Sequence, residues 1–268
     1  MRTASFIRLV FLVGFSLVVS FQTAFLADGG DLPAAGAGKD DASATPTYLC
    51  RRITGEIQIN GKLDEEDWRG AEEVRLLNNS GDGEFLSPKT TAKMLWDEKY
   101  LYVAFVAEDS DIFATMTKRD DHLWTEEVVE VFVGREDIYV EIEVSPLNTL
   151  FDATIDLRGQ KGRPTFDVDA AAKANFDIRH RVIMRGPPSK RKDKDDSWTV
   201  ELAIPHTALK GIQRIPPKSG DAWRINLYRI DKSIVDGRDT TAAGAWSPTK
   251  GWFHNPPRFG RVVFTTEK

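Results

Sequence analysis

From Tyr48 onward, apolar residues return at every second position, in runs too short for anything but strands. Ile57 and Ile59 alternate with Glu56, Gln58 and Asn60. Ala92–Trp96 and Leu101–Ala107 flank the turn Asp97–Lys99. Val128–Val133 and Tyr139–Val144 flank Gly134–Asp137. Leu150–Ile155, Phe176–Met184, Trp198–Ile204, Trp223–Tyr228 and Val262–Thr265 complete the set. Helical signals are confined to Asp64–Arg69, with Asp64 as the expected cap, and to the turn His206–Lys210 after Pro205. Many short strands broken by Gly, Pro and Asp predict an all-β fold. The expected architecture is an antiparallel two-sheet β-sandwich, jelly-roll or immunoglobulin-like, with a few short helical turns. The charged stretch Gly186–Ser197 reads as a solvated hairpin tip.

The segment before Tyr48 divides in two. Arg2 and Arg8 precede the apolar run Leu9–Val19, and no charge follows until Asp28. This is the pattern of a secretory signal over residues 1–27, with cleavage after Ala24 or Ala27. The alternative is a retained anchor over Leu9–Ala27. Its loss would remove two arginines and no acid, taking the net charge from −5 to −7. Residues 28–47 carry no large apolar side chain and read as a flexible linker, leaving 48–268 as the globular part. The expected location is secreted, periplasmic or at the cell surface.

Charge and cysteine content remove several function classes. There is no basic excess to neutralise nucleic-acid phosphates. The single Cys50 excludes an intrachain disulfide framework and a multi-cysteine metal site; it reads as incidental, or as a point of pairing between chains. His122, His180, His206 and His254 have no metal-ligand spacing, and His254 reads as ordering its loop.

Two groups of residues carry chemistry. In Tyr139–Ser145 the apolar Val140, Ile142 and Val144 take one face, so Glu141 and Glu143 share the other, about 7 Å apart at ~3.3 Å per residue. Glu130, in the preceding strand, is placed to join them. Such carboxylates accept hydrogen bonds from sugar hydroxyls and also suit Ca²⁺; the competing reading is a solvated strand face. Seven tryptophans form the second group. Trp68, Trp96, Trp198 and Trp223 border apolar runs and read as core, and Trp246 fits either role. Trp124 and Trp252 lie in polar or Pro/Gly-rich loops, where an indole face can stack on a pyranose ring.

Four segments in order resemble family 9 carbohydrate-binding modules and their DOMON-related kin: IQINGKLDEEDWRGAEEV (57–74), TTAKMLWDEKYLYVAFVAEDSD (90–111), LWTEEVVEVFV (123–133) and WSPTKGWFHNPPRFGRVVF (246–264). The resemblance implies a β-sandwich that clamps the chain end of a glucan or xylan between Trp124 and Trp252, with Glu130 bonding hydroxyls. Glu141, Glu143, Arg238 and Asn148 complete the expected ligand set. The sequence departs from the family pattern at Glu141 and Glu143, where a basic side chain and an amide are usual, and at Thr249, where Asn is usual.

The expected function is therefore non-catalytic binding of a polysaccharide or oligosaccharide, of the kind associated with xylanases, with no catalytic residue assigned and Ca²⁺ as the cofactor the carboxylates suit. The alternatives are a glycoside hydrolase using Glu141 or Glu143, a haem-binding relative using Met94, Met116 or Met184 with a His, and a surface interaction domain.

Overall fold

The computed structural model describes residues 45–160, 167, 171–172, 175–187 and 195–267. The expected export segment and most of the expected linker lie outside the described residues, as does the middle of the charged stretch Gly186–Ser197. Thirteen strands follow one another: β1 (Thr47–Arg52), β2 (Val74–Arg75), β3 (Leu77–Asn78), β4 (Thr90–Trp96), β5 (Tyr100–Glu108), β6 (Val128–Gly134), β7 (Ile138–Val144), β8 (Leu150–Asp156), β9 (Arg179–Arg185), β10 (Ser197–Pro205), β11 (Ala222–Val235), β12 (Arg238–Ala245) and β13 (Gly260–Thr265). One short helix, α1 (Glu66–Gly70), and three single 3₁₀ turns complete the described elements.

The mainly β prediction stands, and the pairing is mixed rather than wholly antiparallel. The strands form one curled, mixed sheet in the order β8-β7-β6-β11-β13-β1-β4-β5-β10-β9. β1 runs parallel to both neighbours, β13 and β4. Parallel partners require crossovers rather than hairpins. Here one partner is the last strand, and the other follows only after α1 and two short strands.

Period-two alternation explains how each face is filled. Val129, Val131 and Val133 of β6 and Val140, Ile142 and Val144 of β7 enter the inner core with Met94, Val103, Trp198, Trp223 and Phe264. Tyr48 supplies a polar anchor inside it: its hydroxyl accepts from the Met94 N–H at 2.9 Å and donates to the Glu72 carbonyl at 2.7 Å. The opposite residues, Val128, Phe132, Tyr139, Phe151, Ile155 and Tyr228, form a second cluster with Leu123 and Phe259. All five tryptophans outside the two loop positions are buried, Trp246 included.

Several local expectations differ. Ile57–Asn60 belongs to no strand. Its backbone is held by side chains instead: Glu201 accepts from the Asn60 and Gly61 N–H groups and from Trp68 Nε1, while Glu65 accepts from the Gln58 N–H. Asp64 does not cap α1; Glu65 is at the cap position without a side-chain bond. Cys50 is neither incidental nor available to a second chain. It faces the inner core, fully buried, where desolvation holds its thiol pKa high. The β11–β12 hairpin extends well beyond the expected Tyr228. Its turn is Asp236-Gly237, both with positive φ (51° and 75°), the geometry of a two-residue hairpin loop.

One charged group lies on the inner side. Arg229 is fully buried, bonded to Asp109 at 2.8 Å and Asp231 at 2.6 Å, with Glu127 at 3.7 Å and its guanidinium 5.3 Å from the Trp198 ring. Burial, followed by the Asp109 hydrogen bond, pushes Glu127 up to about 11. A neutral Glu127 leaves two carboxylates for one guanidinium.

Candidate functional site

The site begins with strand register. Glu130 of β6 is the cross-strand partner of Glu143 of β7, and Glu141 lies two residues along on the same face. Tyr228 of β11 pairs with Glu130 from the other side. An oxygen from each of the three glutamates lies within 4.8 Å of the others. The sequence expectation that they converge is met.

The expectation of a solvated strand face is not. Glu143 is 0% exposed, Glu130 2% and Glu141 6%. Two loops and an aromatic shell cover them. Phe132 stacks on Tyr139 at 5.5 Å, meets Tyr228 edge-on at 5.0 Å and lies 5.2 Å from the His254 ring. Glu141 and Glu143 share a hydrogen bond, the Trp124 backbone N–H donates to Glu143, and Glu130 Oε1 has no hydrogen-bond partner. Burial is the main cause that raises all three carboxyls, Glu141 to about 8 and the other two well above the usual range. For Glu130 the neighbouring Glu141 adds to it.

The loop carrying Trp252 is pinned from below. The Asn226 amide bonds both the carbonyl and the N–H of Ser247. Asn79 accepts from the Thr249 N–H and hydroxyl through its side chain and from the Gly251 N–H through its carbonyl. Tyr228 donates to the Phe253 carbonyl at 2.8 Å and stacks on the Phe253 ring at 4.2 Å. His254 orders this loop as expected: its Nδ1 shares a 2.7 Å hydrogen bond with the Tyr139 hydroxyl and lies 3.8 Å from Glu141. Burial lowers its pKa to about 4, so it is neutral at pH 7. Trp252 packs beside His254 at 4.9 Å, only partly buried.

Trp124 occupies the 3₁₀ turn Leu123–Thr125. It stacks on His122 at 4.5 Å and meets Phe151 edge-on at 5.4 Å. Phe151 is the register partner of Glu143. The loop before Trp124 is tied by Glu126, which accepts from the Thr115 N–H, and by Thr149, which donates to the Met116 carbonyl. The two partly exposed tryptophans thus flank the glutamates, Trp124 through Phe151 and Trp252 through His254.

Of the other two expected ligand residues, Arg238 is not brought to this group, and Asn148 is engaged with a different side chain. Arg238 is exposed at the tip of the β11–β12 hairpin, whereas Tyr228, beside Glu130, is at its base. Asn148 takes a left-handed turn position (φ 62°), and its side-chain oxygen is bonded to His180 at 3.0 Å. Of the methionines considered for haem, Met94 is buried in the inner core, with Met184 packed against it.

A model of the carbohydrate family 9 binding domain-like family matches residues 59–267. The chain belongs to that family. One relative by sequence is an extracellular protein of Arthroderma benhamiae, 30% identical over 66% of this chain and 79% of its own length. Another match is endo-1,4-beta-xylanase C of Paenibacillus barcinonensis, 23% identical over 78% of this chain but only 16% of the xylanase. Among solved structures, a Bacteroides uniformis protein shares the fold at a TM-score of 0.59, with 18% identity over 82% of this chain and all of that one. A family 9 module from Caldicellulosiruptor kristjanssonii, solved with cellotriose, gives 0.54, with 15% identity over 83% and 95%.

The residues that shape the site without having been foreseen are Asn79, Asn226, Tyr139 and Tyr228. Tyr139 was legible, since it alternates in phase with Glu141 and Glu143. Asn79 and Asn226 act through loop carbonyls and amides distant in sequence, which no local pattern announces.

Proposed function

We propose that this protein binds carbohydrate without catalysing its conversion, stacking a sugar on Trp124 and Trp252 beside the covered glutamates. The observation that carries this reading is the division of the tryptophans. Five are buried, and the remaining two stand on pinned loops that flank one polar group. An indole face suits the C–H side of a pyranose, and loops fixed before binding reduce the entropic cost of ordering them. Glu141, the most exposed of the three carboxyls, and His254 are the polar groups nearest to sugar hydroxyls. Family membership supports the same reading, and a glucan or xylan chain end is the first ligand to test. The proposed contact set does not include Arg238 or Asn148. The reading includes export through residues 1–27, in keeping with the extracellular Arthroderma relative.

The test is a glycan screen followed by titration of Trp124→Ala and Trp252→Ala. Each variant is expected to weaken binding at least tenfold, about 1.4 kcal/mol or more, with an unchanged circular dichroism spectrum. Affinity unchanged in both would remove the stacking site. Release of reducing sugar from the bound glycan would replace the binding role with a hydrolytic one.

A further inference from the structure

His254 packs beside Trp252, and it also lines an open hollow of about 560 Å³ whose wall includes neither partly exposed tryptophan. Three segments form that wall: the β6–β7 turn at Glu136 and Asp137, the turn 157–160 after β8, and residues 254–257. They are braced to one another. The Leu157 N–H donates to the Asp137 carbonyl at 2.8 Å. Arg224 ties the other two segments, donating to Glu136 at 2.7 Å and to the Pro257 carbonyl at 3.2 Å. The hollow is therefore formed before any ligand arrives, and its size falls within the roughly 300–1,000 Å³ of small-molecule sites.

The chemistry of the wall selects the ligand. Each charge on it is already paired: Arg158 with Asp156, Asp137 with Arg135, and Glu136 with Arg224. A charged ligand would have to break one of these pairs, whereas a neutral one would not. Leu157, Pro256 and Pro257 supply apolar surface, and Asn255 lies among them. The Asn255 backbone closes its loop, with the N–H donating to the Phe253 carbonyl and the carbonyl accepting from the Arg258 N–H. Its side-chain amide makes no hydrogen bond within the described residues. An amide with two donor hydrogens and an acceptor, set beside apolar surface, suits a neutral ring rich in hydroxyls.

We infer that this hollow is a second carbohydrate subsite, taking a neutral sugar unit of a chain that continues past His254 from the stacked one. The inference rests on the stacking reading for the class of its ligand. It adds that the protein discriminates glycans by length, because two subsites filled by one chain hold it more tightly than either alone.

The experiment is calorimetric titration with cello- and xylo-oligosaccharides of one to five units. Affinity is expected to rise at least tenfold between the shortest oligosaccharide that binds and one two units longer. Asn255→Ala should weaken the longer ligand at least threefold and leave the shorter unchanged, whereas Trp124→Ala and Trp252→Ala should weaken both. Gln160→Ala, in an exposed turn of the same wall, serves as the second variant if Asn255→Ala does not fold. Affinity independent of length would overturn the inference and leave the stacking site standing. So would a gain with length that survives both Asn255→Ala and Gln160→Ala. Binding that needs Asn255 but neither tryptophan would uphold the hollow and remove the stacking site. If neither series binds, the inference falls, and the wider glycan screen still decides the stacking site.

Discussion

At the scale of single residues, the molecule is governed by acids removed from water. Arg229 shows how one group is balanced. Arg229→Met keeps most of the stem that packs near Trp198 but leaves Asp109 and Asp231 unpaired. The expected cost is about 3–5 kcal/mol in chemical unfolding. Glu127 is held protonated up to about 11, so between its ordinary 4.5 and that value the folded state keeps a proton that the unfolded chain releases. Stability is therefore lost as pH rises through that window, by at most about 1.4 kcal/mol per pH unit for one group. Glu141, raised to about 8, acts in the same direction. His254, lowered to about 4, acts oppositely, removing stability as pH falls from 6.5 toward 4. Tm measured in EDTA should fall between pH 6.5 and 9. Glu127→Gln, nearly the shape of the protonated acid, should flatten that limb at a cost under about 1 kcal/mol near neutrality. The sequence shows which acids share a face, because a strand has period two. It does not show that the face is covered, because part of the cover is the Trp252 loop, more than a hundred residues away along the chain.

At the scale of elements, the hairpin β6–β7 is the part on which the candidate site depends. Gly134 closes it, and a Cβ there would lie 2.5 Å from the Tyr139 Cα, a backbone atom that cannot swing aside. Gly134→Ala should destabilise the protein by about 2–4 kcal/mol. It should also weaken glycan binding, because Glu141 moves with the strand. Gly260 is a comparable case: its Cβ would meet the Trp246 ring at 2.3 Å. The strands β4 to β8 and β10 were legible because alternation and turn residues agree there. Ile57–Asn60 has the alternation yet forms no strand, since Glu201 and Glu65 offer its N–H groups side-chain acceptors. β12 lacks the alternation, but Asp236-Gly237 was a turn signal that could have marked its hairpin. β1 is short and mixed in polarity, and only its partners explain it.

At the scale of the whole molecule, both faces of the β6–β7–β8–β11 region are buried, one in the inner core and one under the Trp124 and Trp252 loops. Five tryptophans should therefore be shielded from acrylamide. The readily quenched fluorescence should come from Trp124 and Trp252 and disappear in a Trp124→Ala/Trp252→Ala double variant. A bound glycan should protect the same fraction. Quenching that persists in the double variant would show that the core tryptophans are reached. The β class was legible from the sequence, because short alternating runs leave few alternatives. The mixed topology was not, because strand direction depends on which distant partners meet.

The position of β1 has a consequence for biosynthesis. This strand, near the start of the described chain, is hydrogen-bonded on one side to β4 and on the other to β13, the last of the described strands. Until a ribosome has finished the final segment, β1 and β11 each lack the partner that joins them to the middle of the sheet. Contacts of such long sequence separation form late and slowly. A nascent chain of this topology therefore remains short of its native state, and pliant, until β13 is released.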